Sequence, residues 1–164
     1  MHVAPEGGLS RITKAHSNID YLTVDISEYN AMSRMDITDI NYPSERFDEI
    51  IGNHILEHIV DDGRAMSELN RVLKPGSWGI LQVPVSLSLK KTHEDCSVTD
   101  PSERETVFGQ PDNVRIYGMN YLERLKNTGF RVNRLDSQKD PKFSERSNRS
   151  GLLRSEIIFV ANKL

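Results

Sequence analysis

Two clusters in this 164-residue chain hold side chains of reactive type. His54-Ile55-Leu56-Glu57-His58 spells H-x-x-E-H, in which two imidazoles four residues apart on one helix face suit a zinc ion and the carboxylate serves as base. Here the string falls where a strand gives way to a helix, and no helix with a third ligand follows. No metal ligand is assigned. The second cluster, His93-Glu94-Asp95, has the groups to accept a proton from a substrate. Loop acids of this kind are more often solvated, and no catalytic residue is assigned. Arg104 and Arg115 either clamp an anionic acceptor or pair with nearby acids. Cys96, the single cysteine, cannot form an internal disulfide and reads as an inert thiol in a reducing compartment.

The elements that must position these groups follow from pattern and punctuation. His2 to Ala4 is a short apolar stub ending at Pro5-Glu6-Gly7-Gly8. Leu9 to Ala15 reads as a short helix, and Tyr21 to Val24 as a strand closed by Asp25. Met35 to Thr38 and Phe47 to Ile51 read as further strands. Asp61 to Leu73 has acids in its first turn and Arg71 near its end, the charge order that a helix dipole favours, with Pro75-Gly76 as the stop. Gly79 to Val85 is an apolar strand. Residues 86–118 carry no clear period and read as a lid or insertion. Tyr121 to Asn127 resumes as a helix ended by Gly129. Phe130 to Leu135 and Glu156 to Ala161 are two closing strands around a polar loop at 137–150. Alternation of strands and helices predicts one α/β domain over 1–164, with a doubly wound, mostly parallel sheet and an antiparallel closing strand.

Composition narrows the function classes. Hydrophobic residues are 37% and charged residues 27%, as in a soluble globular protein. No apolar run reaches the roughly 20 residues that span a bilayer, and the first residues lack the basic head and apolar stretch of a signal peptide. A cytoplasmic protein without membrane contact is expected. The net charge of −3 argues against broad binding to nucleic acid. From Asp20 to Glu68 twelve acids face three arginines, whereas Arg124 to Arg154 holds nine basic residues against three acids. This reads as two differently solvated faces, or as a basic segment that meets an anionic acceptor or partner.

The order from Phe47 to Val85 closely resembles class I S-adenosylmethionine-dependent methyltransferases of the type 11 group. Phe47-Asp48-Glu49-Ile50 leading to Leu56-Glu57-His58 matches their strand that ends in L-E-H. Glu68-Leu69-Asn70-Arg71-Val72-Leu73-Lys74-Pro75-Gly76 matches E-x-x-R-V-L-K-P-G. His2 to Glu6, Thr92 to Asp95, Phe108 to Gln110, Asp112 to Arg115 and Tyr117-Gly118 are similar to a bacterial subgroup with H-V-A-P-E. The resemblance implies a Rossmann-like methyltransferase fold, S-adenosylmethionine as cofactor and a small-molecule methyl acceptor. It also implies site residues. Pro5, Glu6 and Gly7 stand in the cofactor loop, and Asp25, with Ile26 beside it, stands where an acid accepts both ribose hydroxyls. Asp36 and Ile37 stand where the adenine is flanked, Asn53 and His54 at the methionine end, and His58 has either a cofactor-side role or a structural one at the helix start.

Two departures set further expectations. Ala4-Pro5-Glu6-Gly7-Gly8 replaces the glycine-rich G-x-G-x-G loop, so only Gly7 and Gly8 offer close backbone approach. Met1 falls at the end of a central strand, which predicts a truncated first strand whose slot is filled by upstream residues or by an exchanged segment in a homodimer. An alternative function is a non-catalytic protein of this fold that acts as a partner or regulatory subunit.

Overall fold

The computed structural model describes residues 1–27, 29, 31–136 and 157–164. The strands are β1 (His2–Val3), β2 (Thr23–Asp25), β3 (Ser33–Arg34), β4 (Phe47–Asn53), β5 (Leu73–Gln82), β6 (His93–Glu94), β7 (Arg115–Ile116), β8 (Phe130–Asp136) and β9 (Ile157–Lys163). The helices are α1 (Gly7–Lys14), α2 (Asp62–Val72), α3 (Pro101–Phe108) and α4 (Tyr121–Asn127), with a 3-10 turn at Leu56–His58. Seven strands form one sheet in the order β3-β2-β1-β4-β5-β9-β8. β9 runs antiparallel to both neighbours and the other pairs are parallel. The strand order reverses at β1, so the ends of β1 and β4 flank the crevice where open α/β sheets bind ligands.

β1 is short but fully placed. His2 pairs with Thr23 on one side and Ile51 on the other, and Val3 with Val24 and Gly52. The expected helix at Leu9 begins two residues earlier, at Gly7. The strand expected at Met35 to Thr38 is displaced. Pairing with β2 ends at Arg34, and Asp36 then folds the chain into a turn by accepting the Thr38 N–H and hydroxyl at 2.8 Å each. α2 matches its sequence signals: Asp61 accepts the Arg64 N–H at 2.9 Å as N-cap. Ala65, Met66, Leu69 and Val72 are its buried apolar stripe.

Pro75-Gly76 does not separate helix from strand. β5 starts at Leu73, opposite Phe47, and the left-handed Gly76 (φ +76°) sits in a bulge before Trp78 meets Glu49. Glu68 and Arg71 explain part of the E-x-x-R string. Their paired contacts at 2.7 and 2.8 Å hold an Arg71 guanidinium that also donates to the Ile40 and Tyr42 carbonyls at 2.8 Å. Glu68 accepts the Ile40 N–H at 2.9 Å. The pair thus pins the β3–β4 connection to α2.

The aperiodic 86–118 stretch is built, not bare. α3 is capped by Asp100, which accepts the Ser102 and Glu103 N–H groups, has Pro101 in its first turn, and ends on left-handed Gly109. β6 and β7 form a separate two-stranded sheet, with Glu94 opposite Arg115. Tyr117, Tyr121 and Phe159 then stack edge to face at centroid distances of 4.7 and 5.0 Å, joining this insertion to the core. The 137–150 polar loop and Glu156 lie outside the described residues.

Candidate functional site

The carboxyl ends of β1, β2 and β4 bring several expected site residues to one rim. After Val3 the chain enters the left-handed region at Ala4 (φ 45°), and after Asn53 it does so again at His54 (φ 53°). Neither residue is glycine, and such conformations cost on the order of 1–3 kcal/mol each, a cost concentrated where sites need a set geometry. Between them Asn53 Nδ2 donates to Glu6 Oε1 at 2.8 Å, a bridge from the loop after β1 to the end of β4. Glu6 Oε2 lies 2.6 Å from His2 Nε2, and His2 Nδ1 lies 2.6 Å from the Tyr21 hydroxyl. Ser10 completes the chain at 2.9 Å from that hydroxyl. His2 is fully buried, so both ring nitrogens are satisfied inside the protein.

This network fixes the charge of Glu6. Partial burial alone would raise its carboxyl, but the bonds from Asn53, the backbone and His2 outweigh it and hold it below the ordinary value. Glu6 is also the N-cap of α1 by backbone position, yet its side chain does not cap the helix. Gly7 and Gly8 border open space: a Cβ added at either would meet nothing within 4 Å.

Asp25 ends β2 and accepts the Ser27 N–H through Oδ1 at 2.8 Å. Ile26 beside it is exposed. Asp36 is exposed at the outer edge, while Ile37 is 4% exposed and packs in the core. His54 is half-exposed, with Nδ1 3.4 Å from Glu57 Oε1. Glu57 is itself buried, its Oε2 has no partner, and burial pushes its carboxyl above the ordinary value. His58 is turned toward the insertion, 3.5 Å from Asp112. The structure therefore joins Glu6 to Asn53 directly, seats Asp25 on the adjoining strand, and sets His58 on the side of α3.

The His93-Glu94-Asp95 cluster and the two arginines weighed as an anion clamp make their contacts within the protein. Glu94 Oε2 accepts from Arg115 Nε at 2.9 Å, and its Oε1 from Arg124 at 2.9 Å. His93 packs against the Phe108 ring, and Asp95 caps a turn through the Ser97 N–H and hydroxyl. All three side chains of the triplet are exposed, with Glu94 held in ion pairs and Asp95 in a turn. Arg115 is 4% exposed and donates to the Leu56, Ile59 and Val60 carbonyls, so it closes the 3-10 turn and does not clamp an acceptor. Arg104 is directed to the Val98 carbonyl at 3.2 Å. The H-x-x-E-H string spans a strand end and a three-residue 3-10 turn, not the helix that its zinc reading requires.

Asp62, Tyr117 and Arg124 were not singled out by sequence. Asp62 is buried and accepts Arg124 at 2.6 and 3.0 Å and the Tyr117 hydroxyl at 2.7 Å. Their signal is long-range and has no spacing to read. Beside the rim, β5 leads into a pocket of about 330 Å³ walled by residues 82–87, Ile116 and Ile157. Gln82 on its wall is the register partner of Asn53, and the Gln82 carbonyl accepts the His54 N–H at 2.8 Å.

Residues 6–81 match the family model described as a methyltransferase domain. No curated protein sequence matches the chain. Among solved structures, a chain in the Haloferax volcanii complex between the Trm112 methyltransferase activator and a candidate methyltransferase superposes with TM-score 0.64 at 13% identity, over 98% of this chain and 80% of that one. The [4+2]-cyclase SpnF gives TM-score 0.62 at 18% identity, over 99% and 74%. The S-adenosylmethionine-dependent methyltransferase from Mesorhizobium loti gives 0.62 at 16% identity, over 98% and 87%. Strand order, antiparallel β9 and these superpositions agree: the chain has the Rossmann-like fold of class I methyltransferases.

Proposed function

We propose that this protein transfers a methyl group from S-adenosylmethionine to a small-molecule acceptor. The observation that carries the reading is the Glu6–Asn53 bridge across the switch point, with Asp25 on the adjoining strand. This donor and acceptor set fits the cofactor chemically. Asp25 offers an acceptor-only carboxylate to a ribose diol. Glu6, held ionised, offers negative charge to the cationic methionine end, and Asn53 and His54 border the same place. Open space at Gly7 and Gly8 admits close approach of the loop backbone. Exposed Ile26 and Asp36 are the residues that would flank an adenine, while Ile37 packs in the core and His58 lies 3.5 Å from Asp112 of the insertion. When bound, the cofactor supplies an electrophilic methyl on a sulfonium. The chain's own task is alignment for in-line attack and exclusion of water.

The test is titration with S-adenosylhomocysteine. Asp25→Ala, with unchanged circular dichroism, should weaken binding about ten- to a hundredfold, the scale of one lost charge-assisted hydrogen-bond pair. Equal affinity in wild type and variant refutes the placement of the ribose.

A second reading is a protein of this fold that transfers no methyl group and serves as a partner or regulatory subunit. Its support is that Ala4-Pro5-Glu6-Gly7-Gly8 stands in place of a glycine-rich G-x-G-x-G loop. Fold does not dictate chemistry, and the likeness to a [4+2]-cyclase illustrates the point. Absence of measurable S-adenosylhomocysteine binding by the wild type would favour this reading.

A further inference from the structure

We infer that His54 is the base that takes the proton from the O–H or N–H of the methyl acceptor, and that buried Glu57 positions it by holding the other ring nitrogen. The origin of the proton rests on the function proposed above; the state of the His54–Glu57 pair does not.

Glu57 is the feature that needs a cause. It lies in the Leu56–His58 turn, 3% exposed, and its Oε2 has no partner among the described residues. A buried carboxylate loses its hydration, so such groups are ordinarily met by several donors. Its other oxygen, Oε1, faces His54 Nδ1 at 3.4 Å. Contacts of this kind are often long in sites without substrate and tighten when it binds. A carboxylate left under-satisfied beside a neutral imidazole gains most when that imidazole becomes a cation. Glu57 therefore favours the protonated ring over the neutral one, which is the preference a base needs as it takes up a proton. Burial also pushes the Glu57 carboxyl above its ordinary value, toward the range of its imidazole partner.

The imidazole is within reach of a ligand. Half of the His54 side chain is exposed, so a molecule in the crevice can meet Nε2 while Nδ1 turns to Glu57. The backbone beneath it is fixed: φ is +53°, and the N–H donates to the Gln82 carbonyl at 2.8 Å. Asn53, the preceding residue, carries the bridge to Glu6, so the ring stands at the switch point of the sheet. The titratable groups around the pair are engaged elsewhere. Glu6 meets Asn53 and His2, His58 turns to Asp112 at 3.5 Å, and Tyr121 of α4 donates its hydroxyl to the Leu81 carbonyl at 2.7 Å. On transfer, a lone pair of the acceptor's oxygen or nitrogen forms the new bond to carbon, and the carbon–sulfur pair stays on sulfur. The acceptor's proton moves to His54 Nε2 and from there to solvent.

The state of the ring can be read directly. Long-range proton–nitrogen NMR of protein carrying isotope-labelled histidine tells the two neutral tautomers apart. His54, one of five histidines, is assigned by the loss of its signals in His54→Asn, an exchange that suits the left-handed backbone. At about pH 8, where imidazoles are neutral, His54 should carry its proton on Nδ1 and leave Nε2 bare, because the Glu57 carboxylate accepts the Nδ1–H. Glu57→Gln should lower the ratio of the Nδ1–H form to the Nε2–H form about tenfold, the worth of one hydrogen bond to a charged group. S-adenosylhomocysteine added to the wild type should move the His54 ring signals. A wild-type His54 protonated on Nε2 overturns the proposal, as does an unchanged ratio in folded Glu57→Gln. Should that variant not fold, the wild-type tautomer decides alone. Bound S-adenosylhomocysteine that leaves the His54 ring unmoved removes His54 from the reaction. Failure of S-adenosylhomocysteine to bind overturns the function proposed above and with it the origin of the proton, while the tautomers still decide the pair.

Discussion

Replacing Asp62 with alanine tests whether the insertion is held by a buried ionic cluster. Asp62 receives three charge-assisted bonds, two from Arg124 at 2.6 and 3.0 Å and one from the Tyr117 hydroxyl at 2.7 Å. Each such bond contributes about 1.5–3 kcal/mol in isolation, but the partners do not all become stranded. Arg115 keeps its three carbonyls and Glu94. Arg124 is 25% exposed, keeps Glu94, and can draw on water. Tyr117 keeps the Leu56 carbonyl at 3.2 Å. The loss should therefore fall near the low end of a broken buried pair, about 3 kcal/mol, out of a typical total of about 5–15. Tyr117→Phe removes one bond and should cost about 1.5 kcal/mol. The double variant should cost less than the sum by about 1 kcal/mol, because the same bond is counted in both. Urea unfolding followed by tryptophan fluorescence measures all three. A loss under about 1 kcal/mol for Asp62→Ala, or strict additivity, would refute the idea that these groups act as one unit.

Acid should loosen the same cluster. Burial works against the Glu94 carboxylate, but bonds from Arg124 and Arg115 prevail and hold it below 4.5. A depressed carboxylate contributes stability that is complete above its ordinary value and lost as pH falls through the lower one. The stability gap between wild type and Glu94→Gln should thus be level from pH 7 down to 4.5 and shrink below it; a gap that widens on acidification would show the sign to be wrong. Gly118→Ala should be severe. Its Cβ would lie 2.5 and 2.6 Å from the Lys91 carbonyl carbon and oxygen and 2.8 Å from the Leu89 oxygen, all backbone that cannot swing away. A fall in Tm of about 5 °C or more is expected, against little change if the insertion shifts freely.

The sequence was readable where causes were local. α2 could be placed because Asp61 caps it, acids open it and Arg71 closes it within eleven residues. Of the two closing strands, β8 was visible in the alternation of Phe130 and Val132 with Arg131 and Asn133, and β9 as an apolar run. β3 was misplaced because two residues are too few to show a period, and Met35 and Ile37 are buried by packing outside any strand. α3 had a start signal in Asp100-Pro101 and a stop in Gly109, but only Phe108 of its residues is buried, so no apolar stripe announced it. The roles of Glu94, Arg115 and Arg124 depend on Asp62, which is 32 to 62 positions away in sequence. No spacing rule reaches that far. Within the candidate site, Asp25 and Asn53 were expected because of the resemblance to methyltransferase sequences, and both end strands of the sheet. The support of Glu6 by buried His2 was not, since a histidine beside valine reads as an ordinary strand residue.

The clamped insertion has a consequence for engineering. Because Arg115 closes the Leu56–His58 turn and Glu94 pairs with Arg124 of α4, residues 86–118 are not a cassette that can be exchanged between relatives. A graft lacking Arg115 would leave the Leu56, Ile59 and Val60 carbonyls bare on the host, and one lacking Glu94 would leave the host's Arg124 with Asp62 alone. Substitutions are more readily tolerated one side chain at a time along the pocket wall, at Ser86, Leu87 and Ile116, where the substituted atoms border open volume and carry no part of the clamp.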